Sequence, residues 1–410
     1  MKRLNSATSD PARGTLRAIL SAKDRDRSPG ARELVALREG DDEPYLEFLR
    51  STARRIELVS RFGRPLLSVA EFDAAPVLAA EARAIHLRRW RAARPIVLPG
   101  WAARLVADEK DSIARMSRVL RDLRKPRTLR RFLGANSIQV ERATPLDDTE
   151  RDLEKYFVGD EGPAGRMWVK SATLTSPGSN TSGRIRFSFG EEGDDDSSSD
   201  LGAHRNVSAM ARNCLPLANR LARSRSHAAT LERLAGAKIL LTQHIAYWNA
   251  PEGGALLHHD AFHEPMRKRQ RGVCYVQLSG STLWLALCTA DLARHSADVL
   301  AALEDGGAPW MVDEHFGGPR AFAKLARRAR TPGWIASELT SPGCGAFASL
   351  ANYSPEFLGL LADAGHFWRL QAGDAIVLPN HGHRRTALHA VWCAGKTSGA
   401  ALSMAIRRSS

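Results

Sequence analysis

Two side chains with metal-binding chemistry, His258 and Asp260, stand two residues apart after an apolar run and a Gly-rich turn. In a β-strand, residues i and i+2 point to the same face, so these two side chains project together while His259 points away. One imidazole and one carboxylate, joined by a distant histidine, form three ligands on one side of a metal ion. Such a set leaves other positions open, which suits an Fe(II) ion that must also bind a co-substrate and O2. A zinc hydrolase more often uses two or three histidines with a nearby general base.

The distant histidine has three candidates, His381, His383 and His389, which all follow a Gly373-Asp374 turn. His389 stands inside the apolar run ALHAVW, which continues as a strand and favours this residue as the ligand. His383 is followed by two arginines, which make a poor start for a buried strand. His389 is therefore the first candidate, and His383 stays open as the alternative.

These motifs resemble the Fe(II)- and 2-oxoglutarate-dependent dioxygenases built on a double-stranded β-helix, in particular their cupin or JmjC-like branch. The resemblance is carried by HHD after an early core strand, by GVCYVQLSGSTLWLAL, and by QAGDAIVLPN before the distal histidine. It covers residues 236–408 without the segment 290–365, and it does not cover the N-terminal third. The form TALHAV favours His389 as the distal ligand, whereas the closer spacing that is usual in the JmjC-like branch favours His383.

The resemblance implies that His258, Asp260 and His389 hold Fe(II), with 2-oxoglutarate and O2 as co-substrates. It implies oxidative decarboxylation to succinate and CO2, coupled to hydroxylation of an unactivated C–H bond in a small metabolite or a peptide. Related halogenases carry Gly or Ala in place of the carboxylate, so the presence of Asp260 argues against halogenation.

The far carboxylate of 2-oxoglutarate needs a cation, best an arginine with bidentate geometry. The family's usual anchors are absent, since Ala401 stands where an arginine is expected two places before Ser403, and Thr282 stands where the JmjC-like branch has lysine. Arg407 shares strand parity with Ser403 and is the first candidate for the cation. The expected co-substrate contacts are Arg407, Lys396, Thr282 and Tyr275.

The elements that position these residues indicate an α+β chain. Glu43–Phe62 and Val69–Arg94 carry apolar residues at the helical period, whereas strand-like alternation begins near Ser137. The expected parts are a helical N-terminal region (1–135), a β-hairpin and helix that lead into the core (136–235), and the double-stranded β-helix catalytic core implied by the resemblance (236–408), with a helical insertion (290–365). The aromatic residues of the insertion fit either a wall over the site or the core of an ordinary helical subdomain.

Composition sets the outer bounds. The 410 residues are 43% hydrophobic and 25% charged, which are ordinary globular values and exclude global disorder. The net charge of +14 is most visible in the Arg-rich segment 111–133, which fits either a solvated helix face or a docking surface for an acidic partner. Apolar runs stay shorter than the ~18 residues of a membrane span. Five scattered cysteines without CxxC argue against a disulfide framework and favour a reducing, cytoplasmic compartment.

Two other functions stay open at this point. A cupin-like metalloprotein that does not use 2-oxoglutarate would explain the missing anchors, and an assay for succinate formation separates it from an oxygenase. A basic nucleic-acid-binding or scaffold protein would show salt-dependent binding and no effect of His258→Ala. The sequence has no zinc-finger, RNP or Walker motif to support that class.

Overall fold

The chain falls into two compact units in a computed structural model. One unit comprises Met1–Phe72 and Thr289–Phe367, and the other comprises Asp73–Cys288 and Trp368–Ser410. The residues that the structure describes are 53–59, 65–72, 80–122, 138–142, 150–158, 167–176, 179–191, 216–249, 254–261, 270–340, 345–394 and 397–409. The residues with candidate metal chemistry all belong to the second unit.

Fifteen strands lie in this part of the chain, and their pairs run antiparallel. They are β1 (Ala53–Val59), β2 (Pro65–Phe72), β3 (Ile96–Leu98), β4 (Ile138–Arg142), β5 (Glu150–Val158), β6 (Met167–Ser176), β7 (Ser179–Glu191), β8 (Ile239–Asn249), β9 (Gly254–His258), β10 (Gln270–Ser279), β11 (Ser281–Cys288), β12 (Phe367–Gln371), β13 (Ala375–Pro379), β14 (Ala387–Ala394) and β15 (Gly399–Arg408). The chain is therefore a mixed protein with antiparallel sheets.

The same described ranges contain eleven helices. They are α1 (Ala80–Arg91), α2 (Ala103–Asp108), α3 (Lys110–Asp122), α4 (Pro216–Arg223), α5 (Arg225–Ala235), α6 (Thr289–Glu304), α7 (Pro309–Phe316), α8 (Pro319–Ala329), α9 (Trp334–Glu338), α10 (Ala348–Tyr353) and α11 (Pro355–Asp363). None of these helices combines the length and the apolar character that crossing a membrane requires.

Two sheets of the second unit determine where the site residues lie. The large sheet has the strand order β3-β13-β10-β15-β8-β7-β6-β5-β4, and the small sheet has the order β12-β11-β14-β9. From β8 onward the chain passes back and forth between them: β8, β10, β13 and β15 lie in the large sheet, and β9, β11, β12 and β14 in the small one. This order places strands that are distant in sequence side by side, so residues far apart along the chain can share one site.

One face of the large sheet packs against α1, α3, α4 and α5. The apolar cluster on this face includes Trp90, Ile113, Leu221, Leu231, Cys274, Val276, Leu402, Met404 and Ile406. Because side chains alternate along a strand, Tyr275 and Gln277 of β10 and Ser403 and Arg407 of β15 point to the opposite face. That face carries the polar residues of the candidate site.

The Gly-Asp turn before β13 has a structural role. Gly373 has φ +98°, and a Cβ there would lie 2.7 Å from the Cα of Ala103, so only glycine fits without a shift. The two carboxylate oxygens of Asp374 accept hydrogen bonds from the backbone N–H groups of Gly100 and Gln371, each at 2.8 Å. The turn therefore joins the β12–β13 connection to the segment that follows β3.

Strands replace helix in part of the N-terminal region. β1 and β2 form an antiparallel pair with Ala53 opposite Phe72. The helices expected over Glu43–Phe62 and Val69–Arg94 are therefore wrong for these residues. The alternation in ARRIELV suits a strand, and the turn formers in RFGRP separate two segments that satisfy their backbone groups by pairing. The helical expectation agrees with α1, α2 and α3, while residues 1–52 lie outside the described ranges.

Three further elements differ from the sequence-based expectations. β5 and β12 were not expected, because the charged residues in ERDLEKYFV and the shortness of FWRLQ weaken the strand pattern. The helix expected within 136–235 is present as two helices, α4 and α5, in its described part. Ser224 breaks it by taking extended backbone, and its Oγ accepts a hydrogen bond from the N–H of His227 at 3.5 Å, which caps α5.

The Arg-rich segment is only partly described. In α3, Ile113 and Met116 are buried in the apolar cluster, whereas Arg115 and Arg118 are exposed. This arrangement fits the solvated face of an amphipathic helix for these residues. The segment 123–133 lies outside the described ranges, and an acidic partner for it stays a prediction.

The insertion expected at 290–365 is helical in its described residues, which form α6 to α11. The ring of Phe316 lies 5.4 Å from that of Phe322 and 6.5 Å from that of Phe347, and the ring of Trp334 lies 6.0 Å from Phe347. These aromatic residues pack within the core of the first unit.

His86 of α1 gives the fold a pH dependence. Burial, with a smaller effect of nearby Arg89, lowers the pKa of His86 from 6.5 to about 4. The unfolded chain therefore binds this proton more tightly than the folded chain, so stability is lost as pH falls from 6.5 towards 4. We expect His86 alone to lower the free energy of unfolding, measured in urea, by about 1–2 kcal/mol between about pH 7 and pH 5. The free energy of unfolding of the His86→Leu variant is expected to fall less over this range by that amount. An equal loss in both proteins would contradict this assignment.

Candidate metal centre

Three side chains meet where β9 ends beside β14. One ligand atom each from His258, Asp260 and His389 lies within 4.8 Å of the other two. The Nε2 atom of His389 is 3.9 Å from a carboxylate oxygen of Asp260, and the ring centroids of His258 and His389 are 4.1 Å apart. Two imidazoles and one carboxylate on one side form a donor set that suits Fe(II) and leaves other coordination positions open. The residues present therefore fit the metal that the sequence indicates.

Strand register brings these residues together. His389 lies opposite His258 in the antiparallel β14–β9 pair and opposite Ala286 in the β14–β11 pair. Asp260 follows His258 by two residues, just after β9. The side chain of His389 is 7% exposed and that of Asp260 is 40% exposed. The cluster therefore has a buried side and a side that a co-substrate can reach.

Two buried amides hold the backbone of Asp260. The Nδ2 group of Asn380 donates to the carbonyl oxygen of Asp260 at 2.7 Å, and the Nε2 group of Gln270 donates to the same oxygen at 3.4 Å. Both amide residues are buried. Sequence reasoning missed them, because polar residues at strand ends are common and the hydrogen bonds join distant parts of the chain. Such outer contacts orient the ligands of a metal site.

Trp284 of β11 orients His389. The two rings are stacked with their centroids 5.4 Å apart and their planes 22° apart. The Nε1–H of Trp284 donates to the hydroxyl oxygen of Thr282 at 2.9 Å. Trp284 is fully buried, so its ring is fixed by packing as well as by this hydrogen bond. The sequence indicated a Trp-bearing strand here but not the contact with the distal histidine.

A chain of neutral polar groups continues from Thr282. The Thr282 hydroxyl donates to Oε1 of Gln277 at 2.8 Å, and the Tyr275 hydroxyl donates to the same oxygen at 3.2 Å. The Nε2 group of Gln277 donates to the carbonyl oxygen of Ser279 at 2.6 Å. Sequence reasoning proposed Thr282 and Tyr275 but missed Gln277. Its signal is a polar side chain two residues after Tyr275, between the apolar residues Val276 and Leu278.

The other histidines lie outside the cluster of three. The ring of His383 packs edge-on against that of His259, with centroids 5.0 Å apart. Nδ1 of His259 accepts a hydrogen bond from the N–H of Ala261 at 3.1 Å. His381 makes a 2.7 Å hydrogen bond through Nε2 to the carbonyl oxygen of Trp90. Of the three candidates for the distant ligand, the structure brings His389 to His258 and Asp260.

Arg407, the first candidate for the co-substrate cation, is buried in β15. Its Nε–H donates to the hydroxyl oxygen of Thr242 at 3.1 Å, and only 1% of its surface is exposed. Its Cα lies opposite that of Gln270, whose amide bonds to Asp260. Arg407 therefore lies at the end of β15 that is nearest the Asp260 backbone.

Tyr275, one of the two hydroxyl residues proposed as co-substrate contacts, lies further along the β15–β10 pair from the position of Arg407. Ser403 lies opposite Tyr275 in the β15–β10 pair. Arg407 lies four residues after Ser403, which corresponds to about 13 Å along β15. Lys396 lies outside the described residues.

No protein-family model and no curated protein sequence matches the chain. Three solved structures that it resembles are the non-haem α-ketoglutarate-dependent epimerase SnoN from nogalamycin biosynthesis (13% identity, 80% of this chain, 83% of that chain, TM-score 0.33), a 2OG-Fe(II) oxygenase family oxidoreductase from Burkholderia pseudomallei (8%, 83%, 94%, TM-score 0.29), and HygX from Streptomyces hygroscopicus with nickel and 2-oxoglutarate bound (10%, 58%, 73%, TM-score 0.25).

Proposed function

We propose that the chain is an Fe(II)- and 2-oxoglutarate-dependent oxygenase that hydroxylates an unactivated C–H bond of a small metabolite or a peptide. The observation that carries this proposal is the convergence of His258, Asp260 and His389. The passage of β8–β15 back and forth between two antiparallel sheets supports a core of the double-stranded β-helix type, interrupted by the helical insertion.

The metal would be held by the Nε2 or Nδ1 atoms of the two histidines and by the carboxylate of Asp260. A bound Fe(II) with 2-oxoglutarate and O2 supplies oxidative decarboxylation to succinate and CO2 and the oxidation of a substrate C–H bond. The protein contributes the geometry of the ligands. Trp284 fixes the ring of His389, and Asn380 and Gln270 fix the backbone of Asp260.

The position of Arg407 indicates how the co-substrate would lie. Arg407 lies opposite Gln270, whose amide bonds to the backbone of Asp260. Arg407 would therefore bind the oxo-acid carboxylate next to the metal rather than the far carboxylate. The far carboxylate would then reach the hydroxyl groups of Thr282 and Tyr275. Each hydroxyl has one proton, and both protons now point to Gln277, so they must turn towards the carboxylate when it binds.

Arg407→Ala is expected to raise the KM for 2-oxoglutarate by about 10-fold or more, because a charge-assisted hydrogen bond contributes about 1.5–3 kcal/mol. Arg407→Lys keeps the charge and is expected to recover part of this loss, which separates charge from packing. Steady-state succinate formation measures the effect. Arg104→Ala removes an arginine side chain that is 97% exposed and serves as the matched control. An unchanged KM in Arg407→Ala would remove Arg407 from the co-substrate site.

Succinate formation in the presence of Fe(II), O2 and 2-oxoglutarate tests the proposed function. We expect wild-type protein to release succinate, and the release to stop when 2-oxoglutarate or Fe(II) is omitted. Metal binding without any succinate would favour a cupin-like metalloprotein that does not use 2-oxoglutarate. That outcome is the main alternative, because Thr282, Tyr275 and Gln277 supply no positive charge for the far carboxylate of 2-oxoglutarate.

A further inference from the structure

A cavity of about 300 Å³ lies in the second unit, beside the strand ends that hold Asp260. Its lining includes Trp90 at the end of α1, Gly236 after α5, Arg271 of β10, His381 after β13, and Arg408 of β15. The volume is at the lower end of the range for small-molecule sites. The cavity can therefore admit a small metabolite.

The lining is strongly positive. Its described residues include Arg271, Arg407 and Arg408 and no aspartate or glutamate. Arg407 already donates to Thr242. The guanidinium groups of Arg271 and Arg408 make no hydrogen bond or ion pair with other residues that the structure describes. Both guanidinium groups therefore keep their N–H donors for a ligand in the cavity.

The remaining walls fix the shape of the cavity. Trp90 is buried, and its ring packs edge-on against that of His381 at 5.8 Å. Burial lowers the pKa of His381. The hydrogen bond to the Trp90 carbonyl raises this pKa, and the nearby charges of Arg385 and Arg271 lower it further. The neutral imidazole donates its Nε2–H to the Trp90 carbonyl oxygen. His381 and Trp90 therefore form an uncharged wall, and the arginines supply the charge.

We propose that this cavity binds a small phosphate monoester, with its phosphate between the guanidinium groups of Arg271 and Arg408. A phosphate monoester carries about −1.5 to −2 charge at neutral pH, which compensates about two of the three guanidinium charges in the lining. The planar fork of arginine also matches two oxygens of a phosphate. A monocarboxylate would compensate only one of these three charges. The proposed phosphate contacts, Arg271 and Arg408, are neither metal-binding residues nor co-substrate contacts, so the assignment does not depend on the proposed oxygenase activity.

Isothermal titration of the metal-free, full-length protein with glycerol 3-phosphate tests the assignment at constant ionic strength. We expect saturable one-to-one binding, weakened by about 10-fold or more in Arg271→Ala and in Arg408→Ala, because each removes a charge-assisted contact. Arg115→Ala removes an exposed arginine of α3 and is expected to bind like wild type. Both test residues are at least partly exposed, and circular dichroism verifies that the variants fold.

Three results would overturn the proposal. The first is the absence of saturable binding to wild-type protein. The second is an equal weakening by Arg115→Ala, which would indicate diffuse attraction by the net charge. The third is binding of succinate as tight as that of glycerol 3-phosphate and equally weakened by Arg271→Ala and Arg408→Ala, which would replace the phosphate assignment by a general carboxylate site. Because the titrations contain no iron and the substituted residues are not metal ligands, failure of this proposal leaves the proposed oxygenase function untouched.

Discussion

Replacing Asp260 with alanine is expected to weaken Fe(II) binding by more than about 100-fold and to reduce 2-oxoglutarate turnover to background. Losing even an outer contact to a metal ligand costs about 10–100-fold, and Asp260 is the only carboxylate in the cluster of described ligands. The Asp260 side chain is 40% exposed, so its removal leaves little cavity and the fold is expected to persist. Anaerobic Fe(II) titration and succinate analysis measure the two effects.

The matched control for this variant is Asp108→Ala. Asp108 is 66% exposed and pairs only with an exposed arginine at 3.9 Å, so its loss removes a carboxylate without touching the cluster. We expect this control to bind Fe(II) like wild-type protein. If Asp260→Ala keeps wild-type iron and turnover, the assignment of the three ligands is wrong.

Replacing His389 and His383 separately is expected to give opposite results. His389→Ala should weaken Fe(II) binding by more than about 100-fold, whereas His383→Ala should change it by less than about twofold. The physical reason is register, since His389 lies opposite His258 while the ring of His383 packs against that of His259. Metal titration of the two variants under the same conditions makes the comparison.

The burial of His389 calls for a second variant. His389 is packed against Trp284, so alanine leaves a cavity and lowers stability. His389→Gln fills most of that space and offers a poorer ligand, and urea unfolding shows whether either variant is folded under the titration conditions. Loss of iron in His383→Ala with retention in a folded His389→Gln would make His383 the distal ligand and overturn the present choice.

Local periodicity was enough to predict part of this site. The spacing of His258 and Asp260 needs only the alternation of a strand, and the apolar run around His389 indicates that this histidine is buried. The choice between His389 and His383 could not be made from spacing, because it depends on which residue lies opposite His258 across the sheet. Pairing register of this kind joins segments about 130 residues apart and leaves no local signal.

The remaining differences have the same origin. The β1–β2 pair was mistaken for helix because each strand has a local pattern that both structures can satisfy, and only pairing decides between them. Gln277 was missed because its role depends on Thr282 and Tyr275, which reach its side-chain oxygen from two positions. Arg407 was proposed because it shares strand parity with Ser403. Its position along β15 close to the Asp260 backbone depends on its pairing with Gln270, which the sequence does not show.

The most direct test of the central claim is an anomalous-scattering map from crystals of the full chain grown with Fe(II) under anaerobic conditions. We expect one iron peak coordinated by the imidazoles of His258 and His389 and by the carboxylate of Asp260, with positions left open for 2-oxoglutarate. An iron peak at other side chains, or no peak at this cluster when iron is bound in solution, would contradict it.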